Sequence, residues 1–185
     1  MAATLAAAPM TNSERQHVIA HLEMTESWLA DEVSGLSPEQ LNYRYAPNRW
    51  TILEVVEHLT LAEPEYWTWL RNDVKKAPSA VESKMSDGDM LWYGIDRSDR
   101  QTTSPSEVPT GKLKDVQQGL TKFRKLREAM LKYARTTDDD LRGHAFPDWG
   151  VNLDTYQALF GISAHAQRHI LQIREIKAQA GYPKK

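Results

Sequence analysis

The apolar positions of the chain fall into four long stretches of helical period. In the first, Val18, Leu22, Leu29 and Val33 recur at helical spacing with Thr25 interposed, which predicts a helix with one buried stripe. Thr11 with Glu14, or Ser13 with Gln16, offers a capping box at its start, and Ser34-Gly35 a stop. Ser37 and Pro38 suit the N-cap and first position of a single short turn. The second long helix opens at "WTILEV", with Thr51 as N-cap, Glu54 as its box partner and Trp50 as a staple on Val55. Its apolar face takes in Ile52, Val55, Val56, Leu59, Ala62, Tyr66, Trp69 and Leu70. Pro64 lies inside that pattern and predicts a kink.

From Ala77 to Pro109 the period fails, amid Pro78, Pro105, Pro109, Gly88 and Gly94. "MLWYGI" within it is too apolar for a free linker, so the segment is expected to cross the bundle and cover part of it. Leu113, Val116, Leu120, Phe123, Leu126, Met130 and Tyr133 then mark the inner side of a third helix. The fourth starts near Asn152 or Asp154 and ends before "GYP", with Gly181 expected as a left-handed cap. No stretch reads as a strand. The expectation is an all-α four-helix bundle, one domain over 11–185, with a long crossover segment between the second and third helices and a disordered leader over 1–10. A weak internal echo links "LSPEQLNYRYAPNRWTILEVVEHL" to "TTDDDLRGHAFPDWGVNLDTYQALFGISAH": each runs short turn, loop, Trp, histidine-bearing helix.

Composition narrows the chemistry. A formal charge of −2 and a pI near 6.3 over 185 residues give no electrostatic reason to expect nucleic acid or an anionic membrane as partner. With no cysteine, disulfides, thiolate ligands and a cysteine nucleophile are excluded, while the redox compartment stays open. No apolar run reaches membrane-span length. "MAATLAAAPM" lacks the basic start of a signal peptide, and a cytoplasmic location is the default.

The candidate site is histidine. His165 and His169 in "GISAHAQRHI" stand four apart, hence one above the other on a helix. The inward row of that helix is Leu159, Ile162, Ala166, His169, Ile173 and Ile176, and His165 lies beside it. His58 sits on the inward face of the second helix, between Val55 and Ala62. Three imidazoles can hold a divalent ion and leave coordination positions open; they can equally be ordinary polar residues near a core. His17 and His21 repeat the spacing but flank their helix's stripe, which favours solvated residues; His144 reads as a surface residue. Glu54 is explained by its cap, Glu57 and Glu63 read as surface charges, and the aromatics of "EYWTWL" as core. Arg44, Arg49 and Asp148, in the loops before the histidine helices, read as solvated charges with anion steering as the alternative. The zincin motif is absent, since Ala166 follows the first histidine, and so are the paired Glu-x-x-His segments of a di-iron bundle.

"LSPEQLNYRYAPNRWTILEVVEHLTLAE" together with "AHAQRHILQI" resembles the DinB/YfiT-like superfamily of four-helix metalloenzymes, over nearly the whole chain after residue 12. The resemblance implies a divalent metal, zinc or nickel, held by His58, His165 and His169, and no other cofactor. It implies hydrolysis or thiol transfer on a small molecule, possible isomerase chemistry of the maleylpyruvate type, a low-molecular-weight thiol as partner, and a homodimer. It implies no contact with DNA. Two other readings stand beside an enzyme: a non-catalytic metal-binding or stress-response bundle, and a bundle whose histidines are core residues and which acts through dimerisation. Neither a catalytic residue nor a general base is identified from the sequence.

Overall fold

The computed structural model describes residues 9–73, 85–148 and 151–184. Among them are four long helices, α1 (Asn12–Val33), α3 (Ile52–Asp73), α5 (Val116–Thr136) and α6 (Thr155–Lys177), and two short ones, α2 (Pro38–Leu41) and α4 (Asp87–Ile95). A 3₁₀ turn covers Pro105–Glu107, and an antiparallel hairpin pairs β1 (Ala145–Asp148) with β2 (Val151–Asp154). The long helices close a ring in the order α1, α5, α3, α6. Helices consecutive in sequence, α1 with α3 and α5 with α6, therefore stand at opposite corners.

The starts of the helices follow local chemistry. Thr11 and Glu14, Ser37 and Gln40, and Thr51 and Glu54 each exchange the two hydrogen bonds of a capping box. Asp154 caps α6 in the same way with Gln157. α3 runs through Pro64 without interruption. The α1 stripe of Val18, Leu22, Thr25, Leu29 and Val33 is buried throughout, as is most of the expected face of α3. α6 departs from a single inward row. Every residue from Thr155 to Arg168 is buried, because α1 and α3 pack on two sides of it and α4 on another.

Four expectations change. "MLWYGI" belongs to α4, whose N-cap is Ser86 and which lies across α6; the central segment does cover the bundle, as a helix. Gly94 is what lets it come close, since a Cβ there would stand 3.0 Å from the Ala164 carbonyl oxygen. The hairpin has no counterpart in the sequence reading: its strands are four residues each, too short to show alternation, and Pro147 interrupts one. α6 ends at Lys177 with a right-handed cap at Ala178, and Gly181 has no positive φ; instead a Cβ on Gly181 would meet the Tyr43 hydroxyl at 2.8 Å. Met10, assigned to the leader, is buried in the core. Residues 1–8 and 74–84 fall outside the described residues.

Candidate metal centre

His58 comes from the second turn of α3 and His165 and His169 from successive turns of α6. The ring α1–α5–α3–α6 makes α3 and α6 neighbours, which the sequence could not establish. The Nε2 atoms of His58 and His169 each lie 3.1 Å from Nε2 of His165, and one nitrogen from each ring falls within 4.8 Å of the others. Trp50, expected to staple Val55, turns its ring toward His58 at 4.8 Å and His169 at 6.1 Å, while Tyr66 meets His165 edge-on at 5.3 Å.

The opposite nitrogens fix the tautomers. His58 Nδ1 lies 2.8 Å from the backbone carbonyl of Glu107. A carbonyl only accepts, so Nδ1 carries the proton and Nε2 of His58 presents a lone pair. His169 Nδ1 likewise faces the side-chain oxygen of Gln172 at 2.8 Å, which turns its Nε2 lone pair inward too. His165 Nε2 can donate one hydrogen at most, so it cannot satisfy both. A cation at the convergence satisfies all three. Ligand nitrogens at about 2.0–2.1 Å from a tetrahedral ion stand about 3.3 Å apart, close to the spacing found. Burial and the neighbouring His165 push the His58 pKa down to about 4, and burial with both other imidazoles holds His169 well below its ordinary value. These rings are neutral at pH 7, the state in which imidazole binds a metal.

Behind His165 lies a buried cluster. Its Nδ1 has no hydrogen-bond partner and stands 3.8 Å from Glu63 Oε1. Glu63 and Arg127 are both wholly buried; one Glu63 oxygen accepts from Arg127 Nη2 at 3.2 Å, while the other lies 3.1 Å from the same nitrogen without hydrogen-bond geometry. Glu57 is buried as well: its carboxylate accepts from the Thr110 hydroxyl and from the Gly111 and Lys112 N–H groups at 2.8–3.0 Å. Burial raises its pKa, but those donors outweigh burial and leave it lowered. Both glutamates were expected at the surface. The helical period places them off the main stripe, and neither their partners nor the loop above Glu57 is visible in it.

The centre forms the floor of a cleft of about 680 Å³. Arg49 lines it, whereas Arg44 pairs with Glu54 at 2.6 Å; the side chain of Asp148 is outside the described residues. Tyr66 lines the cleft and Trp69 an adjoining pocket, while Trp67 packs on Tyr133. His17 is exposed as expected, but His21 is buried, held by Ser163 at 2.7 Å and Gln167 at 2.8 Å. His144 lines neither cavity. The sequence reading missed Glu107, which is buried at the cleft wall; burial, with the charge of that carboxylate nearby, raises the pKa of Tyr66. "SPSEVP" carries no motif that marks it.

The model of the DinB superfamily matches residues 21–173. The chain belongs to the DinB superfamily. A Bacillus licheniformis protein named "Putative metal-dependent hydrolase" is 25% identical over 176 residues, 94% of this chain and 92% of its own. YuaE of Bacillus subtilis, uncharacterised, is 27% identical over 154 residues, 82% of this chain and 91% of its own. Among solved structures, Bacillus subtilis YfiT, described as "a probable metal-dependent hydrolase with an unusual four-helix bundle topology", superposes with a TM-score of 0.63 at 19% identity, covering 94% of this chain and 91% of YfiT. That likeness establishes the four-helix fold of this DinB member. Among the described residues, no helix is long and apolar enough to cross a membrane.

Proposed function

We propose that this DinB member is a metal-dependent hydrolase in which His58, His165 and His169 hold one divalent ion, zinc or nickel. The observation that carries the reading is the convergence of inward lone pairs from His58 and His169 on His165. A divalent ion with three neutral ligands supplies Lewis acidity and makes a water or thiol nucleophilic at neutral pH. The cleft above the three rings gives solutes a route to them, which favours turnover over a purely structural ion. In this reading Glu107, the buried carboxylate lining that route, accepts the proton. The names of the Bacillus licheniformis relative and of YfiT support hydrolysis over thiol transfer.

Metal analysis of untagged protein is expected to find about one divalent ion per chain, lost in His58→Ala. Full occupancy in that variant would remove the ligand assignment. In the same preparations Glu107→Gln should keep the ion and lower hydrolysis of p-nitrophenyl acetate by about 10²–10⁴-fold; unchanged turnover would take the proton from Glu107.

A further inference from the structure

The histidine centre lies between two unlike cavities. The cleft of about 680 Å³ and a second pocket of about 330 Å³ share Tyr66, Thr102, Glu107 and His165 as a common wall. In the cleft the acidic groups are already engaged or buried. Glu175 takes a two-point ion pair from Arg97 at 3.0 Å, Asp89 caps its helix against Ser86, and Glu107 is buried in the wall. The arginines are not matched in the same way. Arg168 donates to the backbone carbonyls of Tyr93, Asp96 and Asp99. The Arg49 guanidinium lies 5.8 Å from the Tyr45 ring, and neither it nor Arg100 has a carboxylate partner among the described residues. Among the described residues two cleft guanidiniums thus lack an anion, and a guanidinium fork suits a carboxylate.

The second pocket is more apolar beyond the shared wall. Trp69, Leu153, Ala158 and Ile162 line it with Ser104 beside them, and the small side chain of Ala158, with Gly161, leaves its space open. Such a pocket rewards methylene groups and offers no cation.

Resting on the hydrolase reading above, we propose that the substrate carries a carboxylate at one end and an apolar arm at the other. The carboxylate lies against Arg49 and Arg100, the arm enters the pocket past His165, and the group that reacts sits between them.

The test uses zinc-loaded protein, whose zinc content is measured in the same samples, and the series N-acetyl-, N-butyryl- and N-hexanoylglycine with N-hexanoylglycinamide, titrated calorimetrically. Affinity should rise by roughly fourfold for each added methylene, and the hexanoyl acid should bind about tenfold tighter than its neutral amide. Ala158→Leu should flatten the chain-length dependence, and Arg49→Gln with Arg100→Gln should abolish the preference for acid over amide. Equal affinity along the series, or for acid and amide, overturns the proposal; the wild-type series decides this even if a variant fails to fold. With zinc bound and a flat series, the substrate class falls and the metal reading stands. If the protein takes up neither zinc nor nickel, the metal reading falls and the proposal with it.

Discussion

His58 is committed by a single atom. Because Nδ1 must donate to the Glu107 carbonyl, Nε2 is left as an inward lone pair, and a displaced Glu107 main chain would free the ring to adopt the other tautomer. The depressed pKa values give a pH dependence with a definite sign. An unfolded histidine takes a proton near pH 6.5, whereas folded His58 does so at about 4 and His169 lower than its ordinary value. The unfolded chain therefore binds more protons in that interval, so the metal-free fold is most stable above about pH 6.5 and weakens as pH falls towards 4. Urea midpoints of metal-free protein at pH 7.5 and pH 4.5 should show the drop, and His58→Gln should reduce it. Glu63 is the other exacting position. Glu63→Gln leaves the wholly buried Arg127 without its counter-charge and is expected to cost about 3–5 kcal/mol. Replacing both partners by methionine should recover much of that loss in denaturant titrations; a double variant no better than the single would show that the ion pair is not the source.

α4 owes its place to contacts its own sequence does not display. Arg168 of α6 donates to carbonyls at and beyond its C-terminal end, and Arg142 grips Asp87 at its start together with Glu14 of α1 and Asp154 of β2. Between these anchors Gly94 faces the α6 backbone at Ala164. Gly94→Val should force the two helices apart and destabilise the protein by about 1–3 kcal/mol, seen as a lower Tm, with the three histidines still able to bind zinc. An unchanged Tm would mean that α4 does not pack on α6 in solution. The long helices α1 and α3 were legible because a capping box of residues three apart was followed by several turns of apolar period. α4 has its box too, at Ser86 and Asp89, but its nine residues carry too few turns for a period to show, and its two glycines read as breaks.

In the assembled chain, a bound ion would join α3 to α6 through His58 and His165, which stand 107 residues apart. Such a ligand binds the folded chain alone, so free metal at a hundred times Kd should stabilise it by about 2.7 kcal/mol. Calorimetry with and without a chelator is expected to show a higher Tm for the loaded form. Equal values would mean that metal does not bind the fold selectively. What the amino-acid sequence determined by itself was local: helix starts, the stripes of α1 and α3, and two histidines one turn apart on α6, all set by spacing within a few residues. Tertiary structure alone decided that His58 meets them, that Glu63 and Arg127 are buried as a pair, and that Glu107 stands at the cleft. Those outcomes depend on which helices become neighbours in the ring, and the period of a single helix reports its buried face without naming the partner that covers it.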